Sequence, residues 1–150
     1  MSLDNLARIG QLKAHAPSAA ETLRLLASAE RNLKDAHAAG ISDETRFDAG
    51  YKAIMQCALV ALMASGYRPA TSMPGHHQTL IQSLPLTLAV SNDVWLVLDA
   101  LRKKRNVNDY AGEPIDPESV RECIARAAAL LATTRQLLKR HHPQLLERPK

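Results

Sequence analysis

Apolar residues recur at steps of three and four along most of the chain, and each run is bracketed by residues that start or stop a helix. Residues 1–17 open with a short amphipathic piece carrying Leu3, Leu6, Ile9 and Leu12, which stops near Pro17. Ser18 predicts an N-cap for a helix over 18–39, with Leu23, Leu26 and Leu33 as its apolar seam and Gly40 as its stop. The clearest helix follows. Ser42 caps it, Asp43 and Glu44 complement the positive end of its dipole, and Gly66 closes it. Phe47, Tyr51, Ile54, Met55, Ala58, Leu59, Leu62 and Met63 then fall on one face, a pattern of core packing.

The stretch 67–74 holds two prolines and reads as a loop, with Gly75 after it. A helix starts near His76 and carries Leu80, Ile81 and Leu84. Pro85, lacking an amide hydrogen and clashing with the preceding turn, is expected to end or kink it. Residues 86–90 lead to a cap at Ser91 or Asn92 and a helix over 93–108. A turn through 112–114 then gives way to Asp116 as N-cap and Pro117 at the first position of the last helix. Val120, Cys123, Ile124, Ala127, Leu130, Leu131, Leu137 and Leu138 form its buried stripe, Pro143 stops it, and the basic tail 143–150 is expected to fray. No segment reads as a strand. Short connections between long amphipathic helices favour antiparallel neighbours, so the expected fold is all-α, an antiparallel up-and-down helical bundle of four to five helices in one domain.

Composition agrees with this. The chain of 150 residues is 46% apolar but only 3% aromatic, and its Ala and Leu lose little rotamer entropy in a helix. A chain this long buries a sizeable core without staples, and Cys57 and Cys123, inside apolar stripes, read as buried structural thiols. There is no run of about 20 uninterrupted apolar residues and no signal-peptide pattern at the start, so no membrane partner and a cytoplasmic location are expected. The net charge of +4 suits an acidic partner such as RNA, although solubility alone explains a charge of that size. Its cations concentrate at Arg102-Lys103-Lys104-Arg105 and in Lys139-Arg140-His141-His142.

The first of those clusters changes the picture. Val94, Leu98 and Leu101 set an inward stripe that continues onto Arg105 and Asn108, so a guanidinium and an amide reach the core-facing side of the helix. Such groups need partners or a water-filled pocket. Either Arg105 bonds carboxylates or helix carbonyls and fixes the bundle, or Arg102, Arg105, Asn106, Asn108 and Tyr110 line a site for a phosphate or base, which the planar arginine fork suits. His76 and His77 are further ligand-binding candidates, opening a helix where free amides favour anions and neutral imidazole. Adjacent helical residues point about 100° apart, so the pair is ill placed to grip one metal. The sequence has no glycine-rich phosphate loop, no cysteine-pair zinc spacing and no His-Glu metalloprotease helix, so no metal and no cofactor are expected.

The Arg105-Asn106-Val107-Asn108-Asp109-Tyr110 segment, the Phe47-to-Ile54 helix and the Gly75-His76-His77 helix start with Leu80 and Leu84 together resemble a HEPN domain, over roughly 18–138. Within that family the chain is similar to an actinobacterial-type subgroup of largely unassigned function. The resemblance implies a bundle of four or five helices, often a homodimer, with an RNA- or nucleotide-related role. Many HEPN proteins are ribonucleases, frequently toxins paired with a nucleotidyltransferase antitoxin. Their signature is an Arg, four to six residues, then a His. This chain departs from it, since no histidine follows Arg102 or Arg105 before His141, and Tyr110 stands where one is expected. Metal-independent cleavage needs a base near the ribose hydroxyl and a cation for the phosphate. Arg105 supplies the cation, but an unperturbed phenol titrates near pH 10, so Tyr110 is a poor base. His76 or His77 replaces the missing histidine only if that helix start folds beside Arg105. The leading expectation is therefore a non-catalytic HEPN-like module that binds RNA, a nucleotide or a protein partner such as an antitoxin. A divergent ribonuclease using Arg105 with His77 or Tyr110, and a bundle with a purely structural role, are the alternatives.

Overall fold

A computed structural model of the chain describes residues 1–72 and 75–148, so the Pro74 end of the 67–74 stretch and the last two residues of the tail lie outside the described residues. Helix α1 spans Leu3–Arg8 and is followed by a strand, β1, at Leu12–Ala14. The long helices are α2 (Ala19–Ala36), α3 (Asp43–Ala64), α5 (Asn92–Ala111) and α6 (Pro117–His141). Strand β2 (Tyr67–Pro69) follows α3, the shorter α4 covers His76–Thr87, and a 3-10 turn at Pro143–Leu146 closes the chain. The fold is predominantly all-α, a helical bundle, as the periodicity predicts.

Helix starts follow the predicted chemistry. The hydroxyls of Ser18, Ser42 and Ser91 accept from the amides of Glu21, Thr45 and Val94, and the Asp116 carboxylate accepts from Ser119 with Pro117 next in line. At its other end α5 stops at Gly112, whose φ of +69° lies in the left-handed region that side chains avoid. The end of α2 is closed from a distance: Arg46 Nε donates to the Ala36 carbonyl at 2.8 Å.

Helix α3 is the axis of the bundle, packed against α2, α6, α4 and α5. The one-faced stripe expected of it understates its burial, because Ala53, Cys57, Val60, Ala61 and Ala64 are buried as well. Small side chains on those faces let neighbouring helices close in around it. Gly50 is the tightest case, since a Cβ there would meet Cys123 Sγ at 3.1 Å. Among the described helices α3 alone is long and apolar enough to cross a membrane, and most of its apolar surface is buried inside the bundle. Cys57 and Cys123 are buried and unbridged, and burial pushes both thiols up to about 12.

Three expectations need correction. Helix α4 does not end before Pro85 but runs through it to Thr87; the proline is exposed while Ile81 and Leu84 beside it are fully buried, so core packing outweighs the lost amide bond. Two short strands exist where none was expected: β1 and β2 pair antiparallel, with Leu12 opposite Pro69 and Ala14 opposite Tyr67. This ribbon, the buried Leu6 and Leu12 in the core, and a Tyr67 hydroxyl donating to the Asp4 carboxylate fix the N-terminal piece to the bundle. Finally, the tail is not frayed over 143–146, because the 3-10 turn packs against α2 and buries Leu145.

Candidate functional site

The residues singled out from sequence converge only in part. Arg105, half-buried near the end of α5, extends its guanidinium over the ring of Tyr51 on α3, with its carbon 5.1 Å from the ring centroid. This is a cation–π approach to the electron-rich face of the phenol. The Tyr51 hydroxyl lies 3.4 Å from His77 Nδ1 at the start of α4, and the two rings are 5.8 Å apart. Three elements thus deliver Arg105, Tyr51 and His77 to one place. They line a cavity of about 380 Å³ together with Asp48, Lys52 and Met55 of α3.

The two histidines take different roles. His77 is half-buried and faces the cavity, whereas His76 is exposed and packs edge-on against it, ring centroids 4.8 Å apart. Burial holds the His77 imidazole below its ordinary range, and the neighbouring His76, Arg105 and Arg102 charges push the same way. Burial pushes the Tyr51 phenol up to about 12, with Arg105 and Arg102 opposing the rise. At neutral pH the cavity therefore holds a neutral imidazole, an intact phenol and a guanidinium. Asp48 stands at the rim, its carboxyl raised by burial and by Asp109 and lowered by Arg105.

The basic run is paired along its whole length. Arg102 Nε donates to Asp99 at 3.0 Å, Lys103 reaches the same carboxylate at 3.5 Å, and Lys104 joins Asp116 at 3.0 Å. Arg105 has the loosest partner for a guanidinium in this run, Asp109 one turn on at 3.5 Å. Charge-assisted bonds close to about 2.7–2.9 Å, so the Arg105 fork is held near the cavity without being used up. The tail cations Lys139 and Arg140 are exposed.

The other candidates lie elsewhere. Tyr110 is 90% exposed and does not line the cavity; the tyrosine that meets Arg105 is Tyr51. Asn108 spends its amide on the Glu113 carbonyl at 2.7 Å and fastens the turn after α5. Asn106 is half-buried outside the cavity lining. The sequence reading missed Tyr51, Asp48 and Lys52. Tyr51 sat in an apolar stripe and is indeed 2% exposed, so its phenol was hidden inside a correct assignment to the core. The only available signal was a polar atom within that stripe. Among the described residues no three His, Cys, Asp or Glu side chains cluster as a metal site would require. Compared with known proteins, the chain matches no family model, no curated sequence and no solved structure.

Proposed function

We propose that the chain is a non-catalytic binding module that takes a phosphate-bearing ligand, a nucleotide or a nucleotide unit of RNA, in the cavity around Arg105. The observation that carries this reading is the state of Arg105: its guanidinium rests on the Tyr51 ring, with its carboxylate partner at 3.5 Å. A guanidinium held in that way presents a fork to phosphate oxygens with little reorganisation. The cavity, about 380 Å³, is of a size that ligand sites use. Lys52 adds a second cation at its edge. The resemblance to HEPN domains, which implies an RNA- or nucleotide-related role for such a bundle, supports the same reading.

A second reading, a divergent metal-independent ribonuclease, draws on the position of His77 in the same cavity as Arg105. The tautomer separates the two. With Tyr51 donating to Nδ1, the Nε2 of His77 carries a proton and is a hydrogen-bond donor to ligand. With Tyr51 accepting from Nδ1–H, Nε2 has a free lone pair and is a base.

Fluorescence anisotropy with a labelled single-stranded RNA and a labelled mononucleotide, across a salt series, tests the proposal. Expected is salt-dependent binding that weakens about 10- to 100-fold in Arg105→Ala, the range for losing about 1.5–3 kcal/mol of charge-assisted hydrogen bonding. Binding unchanged in that variant sinks the reading. Cleavage of the same RNA in EDTA, lost in both Arg105→Ala and His77→Ala, replaces it with the ribonuclease.

A further inference from the structure

A second cleft lies away from Arg105 and shares no lining residue with its cavity. It is bounded by the start of α2, the later half of α3 and the β1–β2 ribbon, and encloses about 550 Å³. Its apolar floor is built from Leu25, Leu59 and Met63. Polar groups in the wall are already spoken for. Gln56 donates to Ser28 Oγ at 2.8 Å and accepts from Asn32 at 2.8 Å, and Glu21 is joined to His15 at 2.7 Å.

Two lining groups differ from these. Arg24 on α2 and Arg68 on β2 reach the cleft from different elements, and neither has a carboxylate within 4.0 Å or a side-chain hydrogen bond among the described residues. Of the ten other arginines, five do have such partners: Arg46, Arg102, Arg105, Arg126 and Arg135 each meet an acid. Two guanidiniums lining one cleft with an apolar floor leave their planar forks open, an arrangement that suits an anionic head group on an apolar body. Methionine in the floor adapts to the shape of such a body. Among the described residues no phenyl, phenol or indole ring lines the cleft, and its one imidazole, His15, is held by Glu21, so it offers little of the stacking platform that a nucleobase uses.

We infer that this cleft binds an amphipathic anion, an aliphatic chain ending in a carboxylate or a phosphate monoester. Arg24 and Arg68 hold the head, and Leu25, Leu59 and Met63 hold the chain. This site is separate from the one proposed for nucleotide or RNA, and neither depends on the other.

The test is NMR titration of the full-length 15N-labelled protein with decanoate, decyl phosphate and decanol, each below its micellar concentration, alongside calorimetry on Arg24→Gln, Arg68→Gln and the double variant. Expected is saturable binding of at least one anion that shifts the amides of Leu25, Ser28, Leu59 and Met63. Affinity should fall at least tenfold in the double variant while its dispersed spectrum and its RNA binding stay unchanged. Whichever anion binds more tightly identifies the head group. Decanol binding as tightly as the anions, shifts confined to other parts of the bundle, no binding up to millimolar concentrations, or full affinity in the double variant would each overturn the assignment. Should the double variant lose its fold, the two single variants carry the same comparison.

Discussion

The Arg105 guanidinium sits 5.1 Å from the centroid of the Tyr51 ring, tying the end of α5 to the middle of the buried helix α3. Only Leu98 and Leu101 of the 20 residues of α5 are buried, with Val94, Trp95 and Val97 packed partly against the core. The same contact places a loosely paired guanidinium in a cavity with a neutral histidine. Structural and ligand-binding roles for Arg105 therefore meet at Tyr51.

Substitutions at Tyr51 separate those roles. Tyr51 is 2% exposed within the core, so Tyr51→Ala should cost roughly 3–5 kcal/mol, as truncation of a buried ring does. Tyr51→Phe keeps the ring beneath Arg105 and removes only the hydroxyl near His77, so it should cost less than about 1.5 kcal/mol and leave anion affinity at Arg105 nearly intact. Urea unfolding followed by the single tryptophan, Trp95, measures both. Equal losses in the two variants would mean that the hydroxyl, not the ring, sustains the site.

His77 gives the fold a pH dependence of defined sign. Its folded-state imidazole titrates below the ordinary value of about 6.5 because burial and the charges of His76, Arg105 and Arg102 disfavour the cation. Over that window the unfolded chain binds more protons, so stability rises with pH. The contribution is present in full above about pH 6.5 and is lost as pH falls through the lowered folded value. In His77→Gln the stability profile should flatten across this range. An unchanged slope in the variant assigns the pH dependence to other groups.

Gly50 is held small by its neighbour. Replacing a mid-helix glycine by alanine ordinarily gains about 1 kcal/mol, but here the new Cβ meets Cys123 Sγ at 3.1 Å, and Cys123 is fully buried. Overpacking costs roughly 1–3 kcal/mol, so Gly50→Ala should be destabilising on balance. In a Cys123→Ala background the clash disappears and the same change should become neutral or stabilising, a favourable coupling that a double-mutant cycle reads directly. Additive effects would show that the core yields without strain.

The C-terminal turn contributes to stability despite its place at the end of the chain. Leu145 is 4% exposed and belongs to the same core cluster as Leu26 and Leu138. Leu145→Ala should cost about 2–5 kcal/mol, far more than a change in a loose tail. A loss under about 0.5 kcal/mol in equilibrium unfolding, the level of ordinary surface substitutions, would show that the turn detaches in solution.

Much of the fold was legible from local rules. The caps at Ser18, Ser42, Ser91 and Asp116 could be read because each joins a side chain to an amide three residues on, and the apolar stripes could be read because a helix repeats every few residues. Strands β1 and β2 escaped because each is three residues long and exists only through a partner more than fifty positions away. Leu145 escaped because a docked tail and a loose one have the same local composition. At the candidate site, the inward course of Arg105 and the special character of the His77 helix start were visible as periodicity and capping.

What the sequence determined by itself was the helical class, the places where helices begin, the buried stripes and the unusual arginine at the end of one of them, since all of these follow from interactions within a few residues. Only the tertiary structure decided that Arg105 meets Tyr51 and not Tyr110, that His77 and not His76 faces it, and that Asp48 and Lys52 complete the cavity. Residues 51, 77 and 105 belong to three helices, and their approach depends on how α4 and α5 lie against α3. That arrangement is set by the packing of the whole core, which no local pattern encodes.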